Sequence, residues 1–390
     1  MKKRSLFLMF TLSALLVIGG CGKAEDTEPL GPSDLAESIE TPVNPSTEEP
    51  EESKTDTNEV TDIPPEEGMV HSAITNEWID EELANQRPIA VMFPTDRNSQ
   101  PQYGIGFAGV LYECMEEGEM SRQMGIIEDW KDLELIGNIR SCRDYYAYWS
   151  LEWDSFLVHW GGPFYLVDVV KRDDVHNLSA CSIGSGDIVA PATGSSAFYR
   201  YPKGSEPTIH NGFTDGPKLA STIESLKYPM EHREDLYQPD HFSFAPMSEE
   251  NTLEDAKDSF EAKEISLAKI FTTTKTSFSY DEEAGVYKKY LYGSPQIDKL
   301  TGEQLTFENI IIQDTYWEYR PDHKYLVFQV HDTGRSGYYF TNGRGIKITW
   351  SKESDYAPTK YYDMDGNEIQ INTGHTYIGV AQAGREPIIK

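Results

Sequence analysis

Cysteine and basic residues are both scarce in this 390-residue chain. Four cysteines are too few to build a disulfide scaffold of this length. Lys and Arg number 34 against 65 Asp and Glu, a formal charge of −31. Such a surface repels phosphate backbones and argues against a nucleic-acid partner. Hydrophobic residues reach only 38%, below the roughly 45–50% apolar share of a soluble globular chain. No HExxH or paired CxxC occurs, so no metal centre is expected, and no cofactor is either.

What is present is unevenly distributed. Lys2, Lys3 and Arg4 precede an apolar-to-small stretch, Leu6 to Gly20. It is shorter than the about 20 residues a spanning helix needs and reads as a secretory signal. It ends in Ile18-Gly19-Gly20-Cys21, which resembles a bacterial lipobox. Residues 1–20 are therefore expected to be a lipoprotein signal peptide and Cys21 the lipidation site. Two acyl chains on that cysteine supply the two signals that stable membrane attachment requires. An uncleaved anchor is the alternative, but Cys21 stands where the apolar stretch stops. From Glu25 to Gly68 there are fifteen acidic residues, seven prolines, one lysine and no aromatic residue. With so little apolar surface, residues 21–68 are expected to be a disordered tether. The signal and Lys23 carry +4 and the tether −14, which leaves −21 for residues 69–390. The folded part is acidic in its own right, so any anion site must be a local cluster of arginines.

The folded part is expected to be α+β, a mixed α/β domain over 69–228, a connection over 229–266 and a β-rich domain over 267–390. Pro88 to Phe93, Gly109 to Glu113, Arg122 to Trp130 and Asp154 to His159 read as strands. Arg143 to Trp153 repeats aromatics at Tyr145, Tyr148, Trp149 and Trp153, the spacing of one buried helix face. Asp215 to Leu226 is a second helix, and Thr252 to Phe260 a short third. Thr272 to Tyr280, Val286 to Tyr292, Glu308 to Gln313, Tyr325 to Val330 and Ile346 to Trp350 read as strands, with turns at Thr301-Gly302, Asn342-Gly343 and Asp365-Gly366. Asp363 to Asn367 lacks EF-hand spacing and reads as a hairpin turn.

Among chemistry-bearing residues, Arg122, Arg140 and Arg143 stand out. Arg140 and Arg143 share a face if their segment is helical, and each guanidinium is a planar fork suited to phosphate or carboxylate. In an acidic chain the same residues also serve as partners for carboxylates such as Glu113 and Glu117. His159 closes an apolar strand before Gly161-Gly162, and His210-Asn211 sits in a loop. These are candidate ligand-binding residues, with Glu113 and Glu117 as candidate acid/base groups. Glu113, Glu116, Glu117 and Glu119 also present carboxylates of the kind used in glycosidic chemistry, although four acids in seven residues suit a solvated turn. Cys142, between two arginines, is a candidate for a lowered thiol pKa. Cys114, Cys142 and Cys181 allow one disulfide at most, with its pairing open.

Residues 70–390 resemble the YerB-like lipoproteins of Gram-positive bacteria, a family defined by a two-part domain of unknown function. The resemblance rests on Arg87-Pro-Ile-Ala-Val-Met92, Gln100-Pro-Gln-Tyr-Gly104, Tyr112-Glu113, Arg122, Arg140-Ser-Cys-Arg143, His159 with Gly161-Gly162, Phe198-Tyr-Arg200 and His210-Asn211. It continues through Gly293-Ser-Pro, Asn309 to Ile312, Asn342-Gly343, Trp350-Ser-Lys352 and Tyr361 to Ile378. The chain departs from the family pattern at Cys142, Glu119, Trp160 and Thr208-Ile209. The resemblance implies a tethered envelope lipoprotein and supplies no catalytic residue. A looser likeness, at the level of fold alone, is to wall-polymer transferases that hold polyprenyl phosphate with arginines beside a strand.

Three functions follow as expectations. The first is a non-enzymatic binding or accessory lipoprotein on the extracytoplasmic face of the membrane, with Arg122, Arg140, Arg143, His159 and His210 lining its cleft. The second is an enzyme on phosphorylated or glycosidic wall precursors. The third is a scaffold that recruits a cell-wall enzyme through its β-rich part.

Overall fold

Residues 89–94 are buried at every position, the mark of a strand covered on both faces. This strand belongs to an 11-stranded mixed sheet, the centre of the fold. The computed structural model describes residues 62–202, 204–205, 208–322 and 324–390. The expected signal peptide, Cys21 and the tether as far as residue 61 lie outside the described residues. Residues 62–68 are exposed turns leading into the strand Met69–His71, and Asp62 meets His71 at 2.7 Å.

The sheet runs in the order 260–261, 344–352, 332–341, 309–315, 376–382, 110–115, 121–127, 89–94, 156–159 and 177–179, with 360–362 also on 344–352. Its two halves join where Thr376–Gln382 lies parallel to Val110–Met115, in the register Thr376↔Val110 to Val380↔Cys114. The parts of the chain before and after residue 260 thus share one hydrogen-bonded sheet, and the described residues form one compact unit.

Two layers cover this sheet, and two adjacent residues show how. Tyr112 stacks on Trp149 of the helix Asp144–Leu151, with ring centroids 5.8 Å apart. Glu113 turns to the opposite face, as successive strand residues must, and meets a second, 6-stranded sheet built mainly from residues 264–295. The helix is held by its tyrosines: Tyr145 donates to Met115 O at 2.8 Å and Tyr146 to Arg122 O at 2.5 Å. Of the expected aromatic stripe, Tyr145 and Trp149 are buried, Tyr148 is half-buried, and Trp153 is buried two residues beyond the helix's end.

The helix Gly216–Ser225 is capped by Asp215, whose carboxylate accepts from Lys218 N at 2.9 Å. Asn342-Gly343 turns the hairpin between 332–341 and 344–352, with both residues at positive φ. Asp363–Asn367 is a turn in which Asp363 accepts from the Asp365 and Asn367 amides. The expected helix over Thr252 to Phe260 is absent: the segment is turns entering the two-residue strand Phe260–Glu261. Leu253 and Asp258 there hold positive φ, which a helix cannot accommodate. Cys114 and Cys142 are buried, Cys181 is exposed, and all three are free thiols.

Candidate functional site

Arg122 and Arg143 close on the same carboxylate. Arg122 Nη2 lies 2.5 Å from Glu116 Oε1 and Arg143 Nη2 lies 2.9 Å from Glu116 Oε2. Arg143 also grips Glu117, its Nε 2.9 Å from Oε1 and 3.0 Å from Oε2. Ser141 ties the two arginines together, its hydroxyl accepting from Arg122 Nη1 and from Arg143 Nη1, both at 2.9 Å. Arg122, Arg143 and Glu116 are buried. Burial opposes the Arg143 charge, but Glu116 and Glu117 overcome it and hold the guanidinium well above the usual arginine pKa. These two arginines are committed to the protein's own carboxylates.

Arg140 is placed differently. Its backbone N–H donates to Met92 O and its carbonyl accepts from Trp160 N, both at 2.9 Å. The side chain is thereby fixed beside the end of the 89–94 strand. Nη1 donates to Ile209 O at 3.1 Å, while the buried Nε has no hydrogen-bond partner among the described residues. Burial, and then the like charge of Arg122, depress its pKa, opposed by Asp96 and Glu116. Across the same cavity stands Arg200, on a short strand paired with Gly212–Thr214. Its guanidinium lies 4.2 Å from the centroid of the Trp160 ring, and Nη1 donates to Thr208 O at 2.6 Å and Asn211 Oδ1 at 3.1 Å.

The cavity measures about 420 Å³ and is lined by Ile139, Arg140, Ser141, Trp160, Arg200, Thr208 and Ile209, within the size range of small-ligand sites. Neither Arg140 nor Arg200 has a carboxylate within ion-pair distance among the described residues. A polar wall of two guanidiniums and an indole face on one side, with Ile209 (61% exposed) at the rim, can hold an anion attached to an apolar or ring-shaped body.

The other expected site residues are dispersed. His159 is fully buried, with Nδ1 2.8 Å from Gly161 O and Nε2 3.4 Å from Asn177 Oδ1. Burial keeps its pKa below the usual histidine value, against the pull of both partners. His210 and Asn211 belong to the loop beside the cavity: Asn138 Nδ2 donates to His210 O at 2.7 Å, and Asn211 Oδ1 accepts from Thr208 N at 2.9 Å. The four clustered glutamates diverge. Glu113 is sealed against the second sheet by Lys289, Ser121, Gln123, Thr276 and Tyr377. Glu116 and Glu117 hold arginines, and Glu119 accepts from Thr272 at 2.8 Å. Burial pushes the Cys142 thiol up, against the pull of Arg143, so the two flanking arginines do not make it reactive.

Arg200 and Trp160 are the cavity residues that the motif reading did not nominate. Both lie in segments it quoted, but they meet Arg140 only through tertiary structure. One further pattern, Gly104-Ile-Gly-Phe-Ala-Gly109, has dinucleotide-fingerprint spacing. It precedes the 110–115 strand instead of following one, and the Gly106 amide is already taken by the Asp298 carboxylate at 2.6 Å, so no phosphate cradle forms there.

Residues 74–229 match the N-terminal domain, and residues 267–378 the C-terminal domain, of a family described as protein of unknown function (DUF3048). The putative lipoprotein YerB of Bacillus subtilis (strain 168) is 22% identical over 321 residues, which span 82% of this chain and 88% of that protein. The crystal structure of the YerB protein from Bacillus subtilis aligns with a TM-score of 0.66 at 19% identity, over 82% of this chain and 99% of that one. That is a likeness of fold.

Proposed function

Since the chain belongs to the DUF3048 family and carries both of its domains in order, we propose that it is a lipid-anchored accessory protein of the bacterial envelope. In this reading it binds a phosphate- or carboxylate-bearing wall precursor between Arg140, Arg200 and Trp160. The lipobox-like Gly19-Gly20-Cys21 and the likeness to a putative lipoprotein of Bacillus subtilis support the anchor. Among the described residues no helix is long and apolar enough to cross a membrane.

The observation that carries the binding reading is the pair of arginines without carboxylate partners in one cavity. The folded part has a strong excess of acidic residues, and Arg122, Arg143, Arg172 and Arg233 are all ion-paired. Two guanidiniums left without such partners on a concave surface are suited to an incoming anion. Binding is favoured over turnover because Glu113 and Glu117, the candidate acid/base groups, are hydrogen-bonded elsewhere, Glu113 within the core and Glu117 on Arg143.

A thermal-shift screen of residues 58–390 with short-chain polyprenyl phosphates and anionic wall-polymer fragments tests the reading. A ligand at 100 times its Kd adds about 2.7 kcal/mol to stability. The expected result is a raised midpoint with at least one phosphorylated compound, lost in Arg140→Ala. A folded protein indifferent to every anion would contradict it.

A further inference from the structure

The largest cavity among those described lies against the Arg344–Lys352 strand and shares no lining residue with the Arg140–Arg200 cavity. It measures about 730 Å³. A neighbouring cavity of about 360 Å³ shares Ala245, Pro246, Glu249 and Glu250 with it, and another of about 340 Å³ shares Lys347 and Met364. The three therefore run into one another as a trough.

Along this trough the sheet has a gap. On one side Arg344–Lys352 is paired with Asp332–Thr341 throughout its middle. On the other side, Phe260–Glu261 covers only Gly345 and Arg344, and Lys360–Tyr362 covers only Thr349 to Ser351. Residues 346–348 have no partner strand there among the described residues. The floor beside them is apolar, with Ile346, Leu253 and Ile369 buried, and Met364 stands 62% exposed above it. An uncovered strand segment in an apolar trough is a template for one more extended chain.

We propose that this trough docks an extended, lysine- or arginine-bearing segment of a partner protein, which adds backbone hydrogen bonds to residues 346–348. Charge selects that occupant. Over the three cavities nine carboxylates line the trough against Lys257, Lys347 and Arg385, and Lys257 is already paired with Asp365 at 2.8 Å. Glu249, Glu250 and Asp258 are exposed and have no ion-pair partner among the described residues. The chain's own segment 25–68, with fifteen acids and one lysine, is repelled from such a rim. So is a second copy, at −31. The inference is independent of the Arg140–Arg200 cavity.

The test is fluorescence anisotropy of residues 58–390 with a labelled heptapeptide of alternating valine and lysine. Its comparators are an alternating valine–glutamate peptide and a valine–lysine peptide with methylated backbone amides. The expected result is binding of the first peptide alone, weakened about fivefold or more, a change of about 1 kcal/mol, by Glu249→Gln/Glu250→Gln/Asp258→Asn. The charge-matched control Glu134→Gln/Asp187→Asn/Glu224→Gln, on exposed positions elsewhere, should leave it unchanged. Absence of binding overturns the proposal. Equal weakening by both triple variants, or equal binding of the methylated peptide, overturns it too, since either reduces the contact to unspecific charge attraction.

Discussion

Lys289 Nζ lies 3.1 Å from Glu113 Oε2, and neither side chain reaches solvent. Glu113 belongs to the main sheet and Lys289 to the second sheet, so the pair joins the N-terminal and C-terminal segments through the core. Gln296 takes a further Lys289 proton at 2.7 Å, and Ser121, Thr276, Gln123 and Tyr377 saturate the carboxylate. Removing one member leaves the other charged and buried, which costs about 3–5 kcal/mol. Lys289→Met should therefore lower unfolding stability in urea by that order, and Glu113→Gln/Lys289→Met should recover a large part of it. A single variant as stable as the parent would show that the pair is not charged.

The arginines should separate by function. Arg122→Ala takes one of two guanidiniums from the buried Glu116 carboxylate, leaving Arg143 alone on it, and should cost about 2 kcal/mol or more. Arg140→Ala and Arg200→Ala break no ion pair and should each shift stability by about 1 kcal/mol or less. Urea midpoints of the three variants check this, and equal losses would remove the distinction between structural and ligand-binding arginines.

His241 gives the fold a pH dependence of known sign. It stacks on Trp153 at 3.7 Å, and Nδ1 donates to Gln238 O at 3.2 Å. Burial holds its pKa down at about 4, opposed by Glu152 and helped by Lys352. The ordinary value is about 6.5. The unfolded chain thus takes up a proton before the folded one does. The contribution is complete above pH about 6.5 and is lost as pH falls toward 4, a change on the order of 3 kcal/mol. His241→Phe keeps the stacking and should flatten the stability profile between those pH values. An unchanged slope would mean that His241 titrates normally.

Attachment is tested at Cys21, which precedes the described residues. Cys21→Ala removes the acceptor thiol and should release the protein from the membrane fraction. Retention of that variant in membranes would contradict the lipid anchor.

Much of the fold was legible in local pattern. The aromatic stripe of residues 145–153, the apolar run of 88–93 and the Asn342-Gly343 turn each specify their structure within a few residues. The long strands Asp332–Thr341 and Thr376–Gln382 were not anticipated as strands. The first carries two glycines and two charges, and the second is buried throughout, so neither shows a clean alternation. The site was half legible. Arg140 follows from the density of arginines in 140–143, but the partners of Arg122 and Arg143 depend on where Glu116 and Glu117 turn. Arg200 and Trp160 enter only because the 199–200 strand folds back on 212–214 beside the residues after His159. No spacing in the chain encodes that meeting.

The most direct measurement is an isothermal titration of residues 58–390 with a short-chain prenyl phosphate, run on the parent, Arg140→Ala and Arg200→Ala. Binding in the parent that weakens at least about tenfold in each variant, a loss of about 1.4 kcal/mol, is the predicted result. Equal affinity in all three proteins, or none in the parent, would contradict the assignment of the Arg140–Arg200–Trp160 cavity as an anion site.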